Sequence, residues 1–190
     1  MKKLKAAGIV ILVAIIIVPV FLWGGNAPGL RNGEEENAYQ PYGVTEEIRD
    51  LSSGEGIGKC IISVRCDAVF LNKDFAEESL IESLPQNGII LSPVKVDIKE
   101  GESAFDILER TLRNQNIHME FTATPMYKSA YIEGIANLYE FDCGELSGWM
   151  YKVNGSFHDY GSSLYEVKEG DVIEWVYTCD RGKDVGDTIN

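Results

Sequence analysis

Apolar positions fall into three patterns along the chain, and each predicts a different kind of element. Residues 6–23 are apolar without a single charge and follow a basic start at Lys2, Lys3 and Lys5. That length lies between a secretory core and a full membrane span. Gly25 and Ala27 then form a small-residue cleavage position. Residues 1–27 are therefore expected to be a signal peptide or membrane anchor. Residues 28–57 lose apolar periodicity and carry Gly, Asn, Pro and the run Glu34-Glu35-Glu36. They are expected to be a flexible linker.

Strand formers dominate from Gly58 onward. Ile61, Ile62, Val64, Val69 and Phe70 predict a first strand beginning near Gly58. A second is expected over 89–98, broken at Pro93. The period then changes to that of a helix. Phe105, Leu108 and Leu112 make an apolar stripe, widened by Ala104 and Ile107. Ser103, with Asp106 three residues later, reads as a capping box. Further strands are expected over 118–124, 130–135 and 138–141. The last two, 148–153 and 172–178, are the clearest. Asn154-Gly155 closes the first of them, a pair that tolerates the left-handed backbone of a tight hairpin. Trp149, Tyr151 and Val153 would face one side, and Met150, Lys152 and Asn154 the other. In the last strand Ile173, Trp175 and Tyr177 share a face while Val172 and Val176 share the opposite one. Apolar side chains on both faces mark a strand central in its sheet.

Strand, strand, helix and then several strands predict an α+β fold. The expectation is a β-grasp-like mixed sheet with its first and last strands parallel at the centre and one main helix across one face. The N-terminal signal or anchor helix and the linker precede it. The domain is expected to span residues 58–181, followed by a polar tail over 182–190.

Formal net charge is −13, and the lysines of the first 27 residues make the remainder more acidic still. Such a surface disfavours nucleic acid and anionic lipid, so membrane contact is expected only through the N-terminal segment. It suits a solvated exterior, a cationic ligand or a divalent metal. The four cysteines, Cys60, Cys66, Cys143 and Cys179, contain no C-x-x-C, which leaves a thioredoxin-like motif and a zinc ribbon without support. In an exported chain they read as two disulfides with three connectivities. Parallel first and last strands would bring Cys66 to Cys179 and leave Cys60 with Cys143. Four free thiols are the alternative. His118 and His158, forty residues apart, read as ordinary surface histidines. There is no nucleophile elbow, phosphate-cradling loop or H-E-x-x-H. Asp180, Asp184 and Asp187 miss the calcium-loop pattern. No enzyme is expected, and no metal ligands are assigned. The aromatics near the hairpins are Tyr127, Tyr131, Trp149, Tyr151, Phe157, Tyr160 and Tyr165. Flat amphipathic rings of this kind suit the edge of a flat cofactor, a glycan or a protein partner. Trp175 reads as core.

The run from EGESAFDILER through YIEGIANLYEF and SGWMYKVNG to YEVKEGDVIEWVYT resembles the bacterial relatives of the transcobalamin C-terminal domain, an exported family with a β-grasp-like fold. The resemblance covers about residues 100–178 and, weakly, the region from Cys60. GW-Y-VNG and KEGD-IEW are its specific parts. In transcobalamins this domain closes over cobalamin. The resemblance thus implies ligand contacts at the hairpin 149–154 and around Tyr131. With the aromatic reading, the expected ligand-binding residues are Tyr131, Trp149, Tyr151, Asn154 and Tyr160. Transcobalamins also have a large helical-repeat domain without counterpart in these residues, so the implied role is a half-site completed by a partner protein. The expected function is an extracytoplasmic ligand-binding module, secreted or anchored to the cell membrane. Corrinoid (cobalamin) or a similar small cofactor is the first ligand. The alternatives are a cell-surface protein or glycan interaction domain and an acidic metal-binding domain.

Overall fold

The computed structural model describes Pro41, residues 47–124 and residues 129–187. The expected signal or anchor segment, most of the linker, Tyr127 and the last three residues of the tail lie outside them. The described part is α+β and built mainly of strands. Its larger sheet is mixed and six-stranded. In spatial order it contains β1 (Arg49–Asp50), β3 (Ile89–Ile98), β2 (Gly58–Arg65), β9 (Val172–Thr178), β7 (Gly148–Val153) and β8 (Ser156–Phe157). A second, antiparallel sheet joins β4 (Met119–Thr124), β5 (Ser129–Ile135) and β6 (Leu138–Tyr139). Helix α3 (Ala104–Asn114) is the longest described helix, and α1 (Asp67–Leu71) and α2 (Glu78–Ser83) are short.

The expected central pair is present. β2 and β9 run parallel, with Ile62 opposite Ile173 and Val64 opposite Trp175. All seven residues of β9 are buried. On one face Cys60, Ile62, Val64, Ile173 and Trp175 pack with Ile107, Leu108 and Leu112 of α3. Each large aliphatic side chain taken out of water there stabilises the fold by roughly 1.5–3 kcal/mol. The stripe of α3 reaches this face because its N-terminus is fixed. Ser103 Oγ accepts from Asp106 N at 3.2 Å, and Asp106 Oδ2 accepts from Ser103 N at 2.8 Å. This is the expected reciprocal cap. The opposite face of the sheet is partly polar although buried. It carries Ser63, Arg65, Lys152, Glu174 and Thr178, with Lys152 Nζ 3.5 Å from Glu174.

Three local features depart from the sequence pattern. Val69 and Phe70, expected in the first strand, lie in α1, because β2 ends at Arg65 where it pairs with Ile89. Pro93 does not break β3. The strand carries one extra residue there, since Ile62 pairs with Val94 and Val64 with Leu91. A bulge accommodates a residue that has no N–H to give the ladder. Residues 49–57 fall in the expected linker but are bonded to the sheet. β1 pairs with β3, and Ile57 N donates to Ile98 O at 2.8 Å. The Asp97 carboxylate accepts from Ser53 N and Gly54 N at 2.5 and 3.0 Å.

Candidate functional site

The Asn154-Gly155 turn is the starting point of the site. Both residues have positive φ, 51° and 80°, as the two-residue hairpin requires. Asn154 then pins the turn to the start of β9. Its Oδ1 accepts from Val172 N and its Nδ2 donates to Asp171 Oδ1, both at 2.9 Å. The other carboxylate oxygen of Asp171 accepts from Lys168 N at 2.9 Å and from the Tyr165 hydroxyl at 3.2 Å. One carboxylate thus ties together the hairpin, the loop before β9 and an aromatic ring.

The chain leaving β8 folds back over β7. The Tyr151 hydroxyl donates to Tyr160 O at 2.9 Å, fastening the return segment onto the strand. Gly161 allows it to lie close to β5, since a Cβ there would sit 1.8 Å from Ser129 Oγ. Ala130 N also donates to Ser163 Oγ at 3.0 Å. These constraints assemble a column of rings. Trp175 lies under Tyr151, centroids 5.6 Å apart, and Tyr151 stacks on His158 at 5.7 Å and 19°. His158 also meets Tyr165 at 4.9 Å and Tyr160 at 5.3 Å, and the last two rings are parallel within 10°. The column runs from the core, where Trp175 is 3% exposed, to the surface, where Tyr160 is 42% exposed. His158 Nε2 is buried at its centre with no hydrogen-bond partner in the structure. Burial, with the Asp171 charge beside it, pushes the Tyr165 hydroxyl up to about 12. Burial likewise raises the Tyr151 hydroxyl. The Tyr151 and Tyr165 phenols are therefore neutral at physiological pH, and the column's rings are fixed before any ligand arrives.

The structure distributes the expected residues unequally. Tyr160 is the exposed end of the column. Tyr151 belongs to it but is 8% exposed, so it supports the surface rather than forming it. Asn154 is consumed by the turn. Trp149 stands at the other end of β7, edge-on to Tyr177 at 5.2 Å, with its indole N–H donated to Leu138 O at 2.9 Å. Tyr131 is 51% exposed on β5, where its hydroxyl donates to Glu140. It shares that surface with Glu120, which accepts from the Tyr139 hydroxyl at 2.7 Å and lies 2.9 Å from His118. The Tyr139 and His118 bonds hold the Glu120 carboxyl below its ordinary value. His158 and Tyr165 were not singled out as site residues by the sequence. Their only signal there is their density between Phe157 and Tyr165, because their convergence depends on the fold-back.

An open cleft of about 550 Å³ lies away from the column, lined by Phe75, Leu80, Phe141 and Asp142 among others. Among the described residues no group of three or more His, Cys, Asp or Glu side chains is arranged to hold a metal ion. No described helix is long and apolar enough to cross a membrane.

Residues 101–179, which contain α3, the second sheet and the whole column, match the family model described as "Domain of unknown function (DUF4430)". That family is related to transcobalamin-like domains. No curated protein matches the chain. Among solved structures, haptocorrin in complex with Cbi matches at 18% identity over 62% of this chain and 25% of that chain, with a TM-score of 0.41. The chain thus spans a quarter of the haptocorrin chain. A candidate metal-binding protein from Ruminococcus gnavus matches at 12% identity over 64% of this chain and 96% of that chain, with a TM-score of 0.38.

Proposed function

From the match of residues 101–179 to a family related to transcobalamin-like domains we propose that the chain is an extracytoplasmic ligand-binding module. The domain proposed to carry this role is residues 58–181, with residues 1–27 as its export signal or anchor. The observation that supports the reading is the ring column. Tyr160 and Tyr165 lie parallel at its outer end, braced by His158 and Tyr151 from below. An aromatic platform ordered in advance loses little conformational freedom when a flat ligand stacks on it. A corrinoid edge fits this description, and a partner protein would supply the remainder of the site. The role proposed is binding.

The test is titration of the purified domain with cobinamide and with cobalamin, followed by absorbance. Tyr160→Ala is expected to weaken binding by about 2 kcal/mol, roughly thirtyfold in Kd, with an unchanged melting temperature. Tyr151→Ala is expected to lower the melting temperature as well, because its ring and hydroxyl hold the fold-back. If the wild type binds neither corrinoid at millimolar concentration, the corrinoid reading falls. The second reading, a surface for a glycan or partner protein, draws on the exposed Tyr131 beside Glu140. It gains if Tyr131→Ala, and not Tyr160→Ala, abolishes binding.

A further inference from the structure

All four cysteines are buried thiols in the structure, but they occupy two different places. Cys60 lies in the core beneath α3, whereas Cys66, Cys143 and Cys179 share a second apolar group with Tyr177, Leu138 and Val69. Cys60 and Cys143 are thus in separate groups. The parallel register also offsets Cys66 from Cys179 along the sheet. Arg65, the last residue of β2, is level with Val176, and Cys66 leaves the strand there as the cap of α1. Cys179 lies beyond Val176, past the end of β9.

The loop that carries Cys143 is held against that end of β9 by bonds that do not involve sulfur. Tyr177, on the same face of the strand as Cys179, donates its hydroxyl to Tyr139 O at 2.6 Å and lies 2.9 Å from Ser147 Oγ. Ser147 Oγ in turn accepts from Cys143 N at 3.1 Å. Trp149 Nε1 donates to Leu138 O, and Arg181 N to Leu146 O at 3.0 Å. Both ends of the loop and Arg181, two residues beyond Cys179, are therefore clamped together. Cys143 and Cys179 lie in the same buried apolar group inside this clamp, and each thiol influences the other's acidity.

We propose that Cys143 and Cys179 are the site of a disulfide that locks this loop to the end of β9, and that Cys60 and Cys66 remain thiols. The oxidant is an external disulfide, either glutathione disulfide or an oxidised dithiol oxidoreductase. One thiolate of the pair attacks it and forms a mixed disulfide, releasing the first donor thiolate. The second thiolate then attacks that mixed disulfide, forms the internal bond and releases the other donor thiolate. Two electrons pass to the donor, whose two sulfurs take up the two protons. Burial raises both thiols above their ordinary value, so thiolate is scarce once the clamp has closed. The bond consequently forms during folding and not afterwards.

The experiment refolds the fully reduced chain in glutathione redox buffer, denatures it, alkylates it and maps the peptides. Two alkylated positions, Cys60 and Cys66, and one peptide linking Cys143 to Cys179 are expected. Cys60→Ser and Cys66→Ser should keep that link, and Cys143→Ser should show three alkylated cysteines. The oxidised protein should also melt roughly 10 °C above the reduced one. Four alkylated cysteines in the wild type, or a linked peptide containing Cys60 or Cys66, would overturn the proposal. The wild-type map suffices even where a variant fails to fold.

Discussion

At the scale of single residues, unpaired polar atoms reveal where the core is improvable. Thr111 lies on the buried side of α3, and its hydroxyl has no hydrogen-bond partner. Valine has nearly the same shape without the hydroxyl. Thr111→Val is therefore expected to stabilise the protein by about 1 kcal/mol, read as a higher urea midpoint at constant slope. A lower midpoint would mean the hydroxyl has a partner in solution. Residue roles at the hairpin were only half legible in the sequence. The Asn-Gly pair revealed the turn, and the alternation assigned Trp149, Tyr151 and Val153 to one face. It could not show that Asn154 spends both ends of its amide on Val172 and Asp171. Nor could it show that Tyr151 lies beneath Tyr160. Both facts depend on where the segment after β8 returns, which local periodicity does not encode.

At the scale of elements, α3 and the ring column are mechanically joined. Ala104 N donates to Tyr165 O at 2.9 Å, and Val167 N to Glu102 O at 3.0 Å. The cap at Ser103 therefore anchors both the helix and the strip that presents Tyr165. Ser103→Ala is expected to cost about 1 kcal/mol of stability. It should also speed amide hydrogen exchange at residues 165–167 more than in β2 or β9. Equal acceleration everywhere would show the cap acting on global stability alone. The helix itself was fully legible, because stripe, cap and terminus agreed. The second sheet was not recognised as separate. Its strands read like any others, and what sets it apart is that β4, β5 and β6 pair only with one another among the described strands.

At the scale of the molecule, alkaline stability follows from burial. Burial pushes the Cys60 and Cys66 thiols up to about 12, and the Tyr165 hydroxyl to the same region. In the unfolded chain thiols ionise near 8.5 and phenols near 10. The unfolded state thus loses protons first as pH rises. The stability these groups contribute is complete below about pH 8 and declines progressively up to about pH 12. Urea midpoints measured from pH 7 to 11 should fall, and a flat profile would contradict the burial. The global arrangement was the most legible feature of all. A last strand apolar on both faces has to lie inside a sheet, and that single constraint placed β9 at the centre. The attachment of residues 49–57 was illegible, since it rests on backbone bonds and on Asp97, which leave no apolar pattern.

The adjacency of β2 and β9 has a consequence for biosynthesis. A polypeptide leaves the ribosome, or threads an export channel, with its N-terminus first. β2 and β3 emerge early and can pair, yet the inner edge of β2 stays open until residue 178 follows. Contacts this distant in sequence form late. A nascent chain interrupted before β9 keeps an apolar, unpaired edge, which is a target for chaperones and proteases. The topology thus makes completion of synthesis a condition for escaping quality control, and a chain truncated in the last strand should be degraded rather than released.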